Sequence, residues 1–264
     1  MSEKVTKATS SDIESTNKLD TRIHANSAAL HDFDMWCIGQ MPETSLSANI
    51  LDLGCGTGKQ LHLFSRVLSP KVNFWGLDKS AESLEKLNLA YDAPPQLHTV
   101  AGSFDALDQE DLWHSHQGKF DLIYGVYAMY YTHDLAKVIR DVYALLKPGG
   151  VFWVIGPDSG TNDEFLSILR PLHEVEPFMD YVFDRFMPEV IAKSETTGFQ
   201  SIKAATLKNK VYFPSAEAFL AYLSNSLFYR PGHDEAIRSA VQKVVEQEGR
   251  FTVSKNVLSL QLRK

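Results

Sequence analysis

Apolar positions along the chain form short continuous runs that alternate with longer stretches of helical period. The runs are Ile50–Leu53, Lys71–Asp78 ("KVNFWGLD"), Gln96–Ala101, Phe120–Val126 and Val151–Ile155. Between them, Leu61, Leu63, Phe64, Val67 and Leu68, then Leu84, Leu87 and Leu89, then Leu135, Val138, Ile139, Val142 and Leu145 recur every three to four residues. That spacing predicts one-sided helices. Ser80 is placed to cap the second helix, with Glu82 and Glu85 in its first turns. Pro148-Gly149-Gly150 stops the third, predicted over Asp134–Leu146. Strands and helices alternating in this way predict a doubly wound sheet of parallel strands.

Beyond Gly156 the pattern loosens. Glu164–His173 and Pro188–Thr197 read as helices, Phe199–Lys208 as a strand, residues 215–248 as largely helical, and Ser254–Leu262 as a last strand. Ahead of the sheet, Leu19–Gln40 has a mixed helical period. The expected organisation is a flexible tail over residues 1–17 and one domain over 18–264. Within it lie a helical cover (18–47), a ligand-binding half (48–157) and a helical insertion or lid (214–250).

The segment "NILDLGCGTG" joins the first apolar run to a helix through Gly54, Gly56 and Gly58. A buried strand, a turn without Cβ atoms and a helix N-terminus form a nucleotide cradle in open α/β sheets. The spacing is G-x-G-x-G, which departs from the G-x-G-x-x-G of dinucleotide oxidoreductases. Asp78 ends the second run about 20 residues after the last glycine, where an acid accepts hydrogen bonds from ribose hydroxyls. Asp78 as an ordinary loop acid is the alternative.

A formal net charge of −7 argues against a large basic footprint for nucleic acid, so a small-molecule partner is expected. Two cysteines, Cys37 and Cys55, make no disulfide framework and nothing points to a metal. The first twenty residues lack the apolar core of a signal peptide, and no run approaches the ~18 apolar residues of a membrane span. A cytoplasmic protein is expected.

Taken together, "LDLGCGTG", Asp78, "GSF" at Gly102–Phe104, "FDLIYGVYAMYYTHD" from Phe120 and "LLKPGG" from Leu145 make the chain resemble the class I S-adenosylmethionine-dependent methyltransferases. The motifs stand in that family's order over roughly Ile50–Pro157. The resemblance implies a seven-stranded Rossmann-like sheet with the last strand antiparallel, and S-adenosylmethionine as cofactor with S-adenosylhomocysteine as product. It implies that Asp52 and the Gly54, Cys55, Gly56 and Gly58 turn hold the amino-acid end of the cofactor. Asp78 would bind the ribose and Lys79 would lie along the adenine. Ser103 and Phe104 would meet the adenine edge and face, and Gly125 and Val126 would pass beside the methionine moiety. Many relatives carry an acid where Ser103 stands, and Asp105 is a substitute for it.

Methyl transfer from a sulfonium asks chiefly for alignment and exclusion of water. If the acceptor carries a proton, His133 in the loop after the fourth strand is the first candidate base, with Tyr131 beside it. The alternative is that His133 and Asp134 only cap the following helix. Tyr127, Tyr130 and Tyr131 line a pocket or pack in the core. Candidate substrate contacts are His24, Tyr130, Asp158, Tyr229 and Arg230, the last two in the "YRPGH" break. The expected function is methylation of an N, O or C nucleophile of a small molecule. The alternatives are a methyltransferase of RNA or protein and a non-catalytic S-adenosylmethionine-binding protein.

Overall fold

The computed structural model describes residues 30–90 and 96–264, which divide into two compact units. One unit holds residues 34–156, 185–206 and 258–264, and contains the sheet. Its strands are β1 (Asn49–Leu53), β2 (Asn73–Asp78), β3 (Leu97–Ala101), β4 (Phe120–Val126), β5 (Leu146–Pro157), β6 (Ser201–Leu207) and the strand Val257–Arg263. Their order is β3-β2-β1-β4-β5, then Val257–Arg263, then β6, with Val257–Arg263 antiparallel. This is the seven-stranded Rossmann-like sheet that the resemblance implies.

The helices of this unit are α1 (Phe33–Gln40), α2 (Lys59–Ser65), α3 (Ala81–Ala90), α4 (Asp111–His116), α5 (Leu135–Leu145) and a later one at Phe186–Thr197. α5 shows why the sequence period works: Leu135, Val138, Ile139, Val142 and Leu145 are all buried on one face. Asp134 caps it by accepting the Lys137 N–H at 2.9 Å. Of the predicted helical region Leu19–Gln40, α1 is described; the remainder and its candidate His24 lie outside the described residues. Predicted strand Val151–Ile155 is longer in the structure, because Leu146–Gly150 continue it through a register shift opposite Phe120 and Leu122.

Strands β1, β4 and β5 are buried on both faces, as parallel central strands must be. Between β4, β5 and α2, Phe64 stacks on Trp153 at 5.5 Å and meets Tyr124 edge-on at 5.3 Å. The buried Trp153 Nε1–H donates to Ser259 Oγ at 2.7 Å, so the large ring enters the core without an unsatisfied donor.

The other unit holds residues 157–184 and 207–257 together with the described residues 30–33. Its helices are α6 (Asp163–Leu169) and α7 (Pro177–Asp180), after which the chain passes into α8 (Phe186–Thr197) of the first unit. It then adds β7 (Lys210–Phe213), α9 (Ala216–Leu223), α10 (Asp234–Glu248) and β8 (Phe251–Ser254); Val257–Arg263 is therefore β9. The predicted helical stretch 215–248 corresponds to α9 and α10. The antiparallel β7–β8 pair that brackets it, in register from Lys210↔Ser254 to Phe213↔Phe251, goes beyond the sequence reading. Phe165, Phe213, Phe219, Phe251, Ile237 and Val241 form this unit's own core.

Candidate functional site

Ligands of open α/β sheets lie beyond the carboxyl ends of the strands, where the strand order reverses. Here that point falls between β1 and β4. Gly54, Gly56 and Gly58 leave β1 with φ of +76°, +53° and +84°, a left-handed region that favours glycine. Gly54 N–H and Cys55 N–H both donate to Leu77 O, at 2.8 and 3.1 Å, which locks the turn to β2.

The three glycines are needed for different reasons. A Cβ at Gly54 would stand 2.6 Å from Ala128 Cβ and 3.6 Å from Phe104. One at Gly58 would run into Leu87 at 2.1 Å, whereas one at Gly56 would meet nothing within 4 Å. So the turn is packed at its ends and open at its middle. Asp78 closes on that open middle: its Oδ2 accepts the Gly56 N–H at 2.8 Å while Oδ1 accepts the Ser80 N–H at 2.8 Å.

Asp52 lies beneath the turn, 2% exposed, with Oδ2 lacking a hydrogen-bond partner. Burial raises its pKa to about 8; the Tyr124 side chain lowers it in part, and the charge of Asp78 raises it further. Cys55 is buried in the same turn, and burial with the two carboxylates pushes its thiol well above the usual range. It is an inert packing thiol rather than a nucleophile.

The loops after β3 and β4 converge on this turn. Ser103 caps a 3-10 turn over Phe104–Gln109, its Oγ accepting the Asp105 N–H at 3.2 Å. Asp105, a substitute adenine contact by sequence, is instead turned toward the β4 loop, where its Oδ1 accepts from Thr132 Oγ1 and, at 3.0 Å, from the His133 N–H. Thr132 is buried and carried no signal in the sequence, because its role depends on a partner 27 positions away. Gly125 leaves room for Met129, whose Cγ would be 2.6 Å from an added Cβ.

Val126 is half-buried at the end of β4, and Lys79 is exposed after β2. The His133 side chain is exposed ahead of α5, and the helix cap is Asp134. Tyr130 and Tyr131 form a ring pair at 4.6 Å, with Phe186 edge-on to Tyr130 at 5.8 Å. Thus the structure gathers the glycine turn, Asp52, Asp78, Phe104 and the β4 loop in one unit. Asp158, Tyr229 and Arg230 belong to the other unit, where each has a local partner. Asp158 pairs with Lys208 at 3.2 Å, Arg230 with Glu176 at 2.7 Å, and the Tyr229 hydroxyl donates to Asp234 at 3.2 Å.

The arrangement can seat an adenosine-like ligand with a positively charged end. An open backbone turn lies at its centre, one acid stands at the sheet edge, and a second, buried acid has an unused oxygen.

Residues 51–152 match the family model described as a methyltransferase domain. Demethylmenaquinone methyltransferase of Lactococcus lactis is 31% identical over 167 residues, 59% of this chain and 62% of that protein. The YcgJ protein of Bacillus subtilis superposes with a TM-score of 0.59 at 16% identity, covering 89% of this chain and 99% of that one. Geranyl diphosphate C-methyltransferase of Streptomyces coelicolor, solved with Mg2+, geranyl diphosphate and S-adenosylhomocysteine, gives 0.53 at 14% identity, covering 88% and 78%. Residues 51–152 thus match a methyltransferase domain, and the sheet has the Rossmann-like fold of these solved structures. It spans 62% of the length of the curated relative named above. Among the described residues no helix is long and apolar enough to cross a membrane.

Proposed function

We propose that the protein is an S-adenosylmethionine-dependent methyltransferase acting on an N, O or C nucleophile of a small molecule. The observation that carries this reading is the pairing of an open glycine turn with two acids. Asp78 already binds the Gly56 amide, and Asp52 is buried with one oxygen unused. In this reading Asp52 and the amides of Gly54–Gly58 hold the cofactor's amino-acid end. Asp78 takes the ribose hydroxyls, Lys79 flanks the adenine, and Ser103 with Phe104 borders its edge and face. Gly125 and Val126 flank the methionine moiety.

When bound, the cofactor would supply a methyl group activated by its sulfonium and would leave as the thioether S-adenosylhomocysteine. The protein's share is alignment, worth roughly 7–11 kcal/mol where positioning is good. His133 is the proposed acceptor for a proton leaving the nucleophile, with Tyr131 and Tyr130 walling the site.

A small acceptor is supported by the chain's acidic balance. It is also supported by relatives whose names specify demethylmenaquinone and trans-aconitate. Titration calorimetry with S-adenosylmethionine, S-adenosylhomocysteine and NAD tests the reading: both sulfur compounds bind and NAD does not. Absence of binding by both sulfur compounds overturns it.

A further inference from the structure

Beside Asp78 in the sheet, β3 runs out into Gly102, whose N–H donates to Asp78 O at 3.0 Å. Gly102 does not have the left-handed backbone of the glycine turn, so its φ is not what calls for glycine there. Its neighbour Glu110 is. A Cβ at Gly102 would stand 2.2 Å from Glu110 Oε1, 2.7 Å from Cδ and 3.2 Å from Oε2. The carboxylate lies against the main chain at the carboxyl end of β3, in space that any other residue type would fill.

The chain puts it there by folding back on itself. The 3-10 turn over Phe104–Gln109 buries Leu107, the Glu110 N–H closes on Leu107 O at 3.2 Å, and α4 is anchored by the buried Leu112. Glu110 stands at the N-cap of α4, yet its side chain makes no capping bond. The other two acids between β3 and α4 are engaged: Asp105 with Thr132 and the His133 N–H, and Asp108 with Lys137 at 2.5 Å. Among the described residues the half-buried Glu110 carboxylate has no hydrogen bond or ion pair. An ionised carboxylate only accepts, so a group that completes it must bring an N–H or O–H.

Strand order says which group that is. The glycine turn follows β1, Asp78 ends β2, and Glu110 lies at the end of β3, three adjacent strands. A cofactor with its amino-acid end at β1 and its ribose at β2 has its base at β3. The donor that an adenine presents there is its exocyclic amino group.

We propose that Glu110 accepts a hydrogen bond from that amino group and so selects a 6-aminopurine. This rests on the S-adenosylmethionine reading above and adds a specificity-determining residue to the same site. The test is calorimetry on the full chain with S-adenosylhomocysteine and its 6-deamino analogue, in which hydrogen replaces the amino group. Wild type binds the amino compound at least tenfold more tightly, because the analogue leaves a charged acceptor unpaired. Glu110→Ala binds the two within twofold of each other, through lost affinity for S-adenosylhomocysteine alone. Gly102→Ala keeps the carboxylate but displaces it, and loses the preference in the same way. Both variants keep the fold: the first removes no capping bond, and the second meets the far end of a flexible side chain.

Equal affinity of wild type for the two compounds overturns the proposal without any variant, and so does the full wild-type preference surviving in Glu110→Ala or Gly102→Ala. If wild type binds neither compound, the methyltransferase reading fails and this proposal falls with it.

Discussion

The Asp78 carboxylate and the Gly56 amide are joined by a 2.8 Å hydrogen bond across 22 residues of sequence, so the acid at the end of β2 also shapes the glycine turn. Two jobs on one side chain predict two losses. Asp78→Ala should weaken S-adenosylhomocysteine binding by at least tenfold and lower stability by about 1.5–3 kcal/mol, the usual worth of hydrogen bonds to a charged group. Calorimetry and urea denaturation read the two effects separately; unchanged affinity would count against the assigned ribose role.

Substitutions of the glycines separate packing from ligand approach. Gly54→Ala combines the left-handed penalty with a 2.6 Å clash against Ala128, and should destabilise by more than about 3 kcal/mol. Gly58→Ala takes the left-handed penalty and also runs into the buried Leu87 at 2.1 Å, so it should lose more than the ~1–2 kcal/mol of that penalty alone. Gly56→Ala meets open space and should lose no more than that in stability, yet its methyl group would stand in the space proposed for the ligand. Thermal melts beside cofactor binding should therefore rank the variants in opposite orders for Gly54 and Gly56.

Burial makes the acidity of Asp52 a stability term. Its pKa rises from 3.8 to about 8 on folding, so between those values the native state binds the extra proton. Stability from this group is fully present below about pH 4 and is lost as pH climbs through 8, at roughly 1.4 kcal/mol per pH unit within the window. Asp52→Asn should remove that slope in urea denaturation series taken from pH 5 to 8. If an ammonium group of the cofactor sits beside Asp52, binding near pH 7 should release a proton. Calorimetry in buffers of different ionisation enthalpy measures it, and zero release would exclude that placement.

The bond from Thr132 Oγ1 to Asp105 ties the loop after β3 to the loop after β4. Thr132→Val and Asp105→Ala should each destabilise by about 1–3 kcal/mol, and the double variant should cost clearly less than their sum. Additive losses would show that the two loops are independent.

His133 is expected to act only on a proton in flight. His133→Ala should lower turnover by about 10²-fold or more with an acceptor that must lose a proton. S-adenosylhomocysteine affinity should stay within twofold. Turnover that keeps its rate and its pH profile in the variant would retire the base role.

Local signals made much of the fold legible. Ile50–Leu53, the glycine spacing and Asp78 could be found because each depends on residues a few positions apart or at one fixed offset. The β7–β8 pair could not, since strands of four residues carry too short a period and Phe213 meets Phe251 across a helical stretch. The Asp105–Thr132 link was hidden for the same reason. It is set by a contact between loops, to which hydrophobic periodicity is blind. Val151–Ile155 was found as a strand, but its extension back to Leu146 depends on β4 and a register shift.

The position of β9 between β5 and β6 has a consequence for how the protein is made. β6 ends at Leu207 and, among the described residues, has β9 as its sole neighbour in the sheet, yet β9 begins at Val257. At a translation rate of ~5–20 residues per second, β6 emerges seconds before its partner exists. During that interval β1, β2, β4 and β5 can already close around the glycine turn, whereas β6 waits with both edges open. A nascent chain halted before Val257 would expose that strand to its neighbours on the polysome.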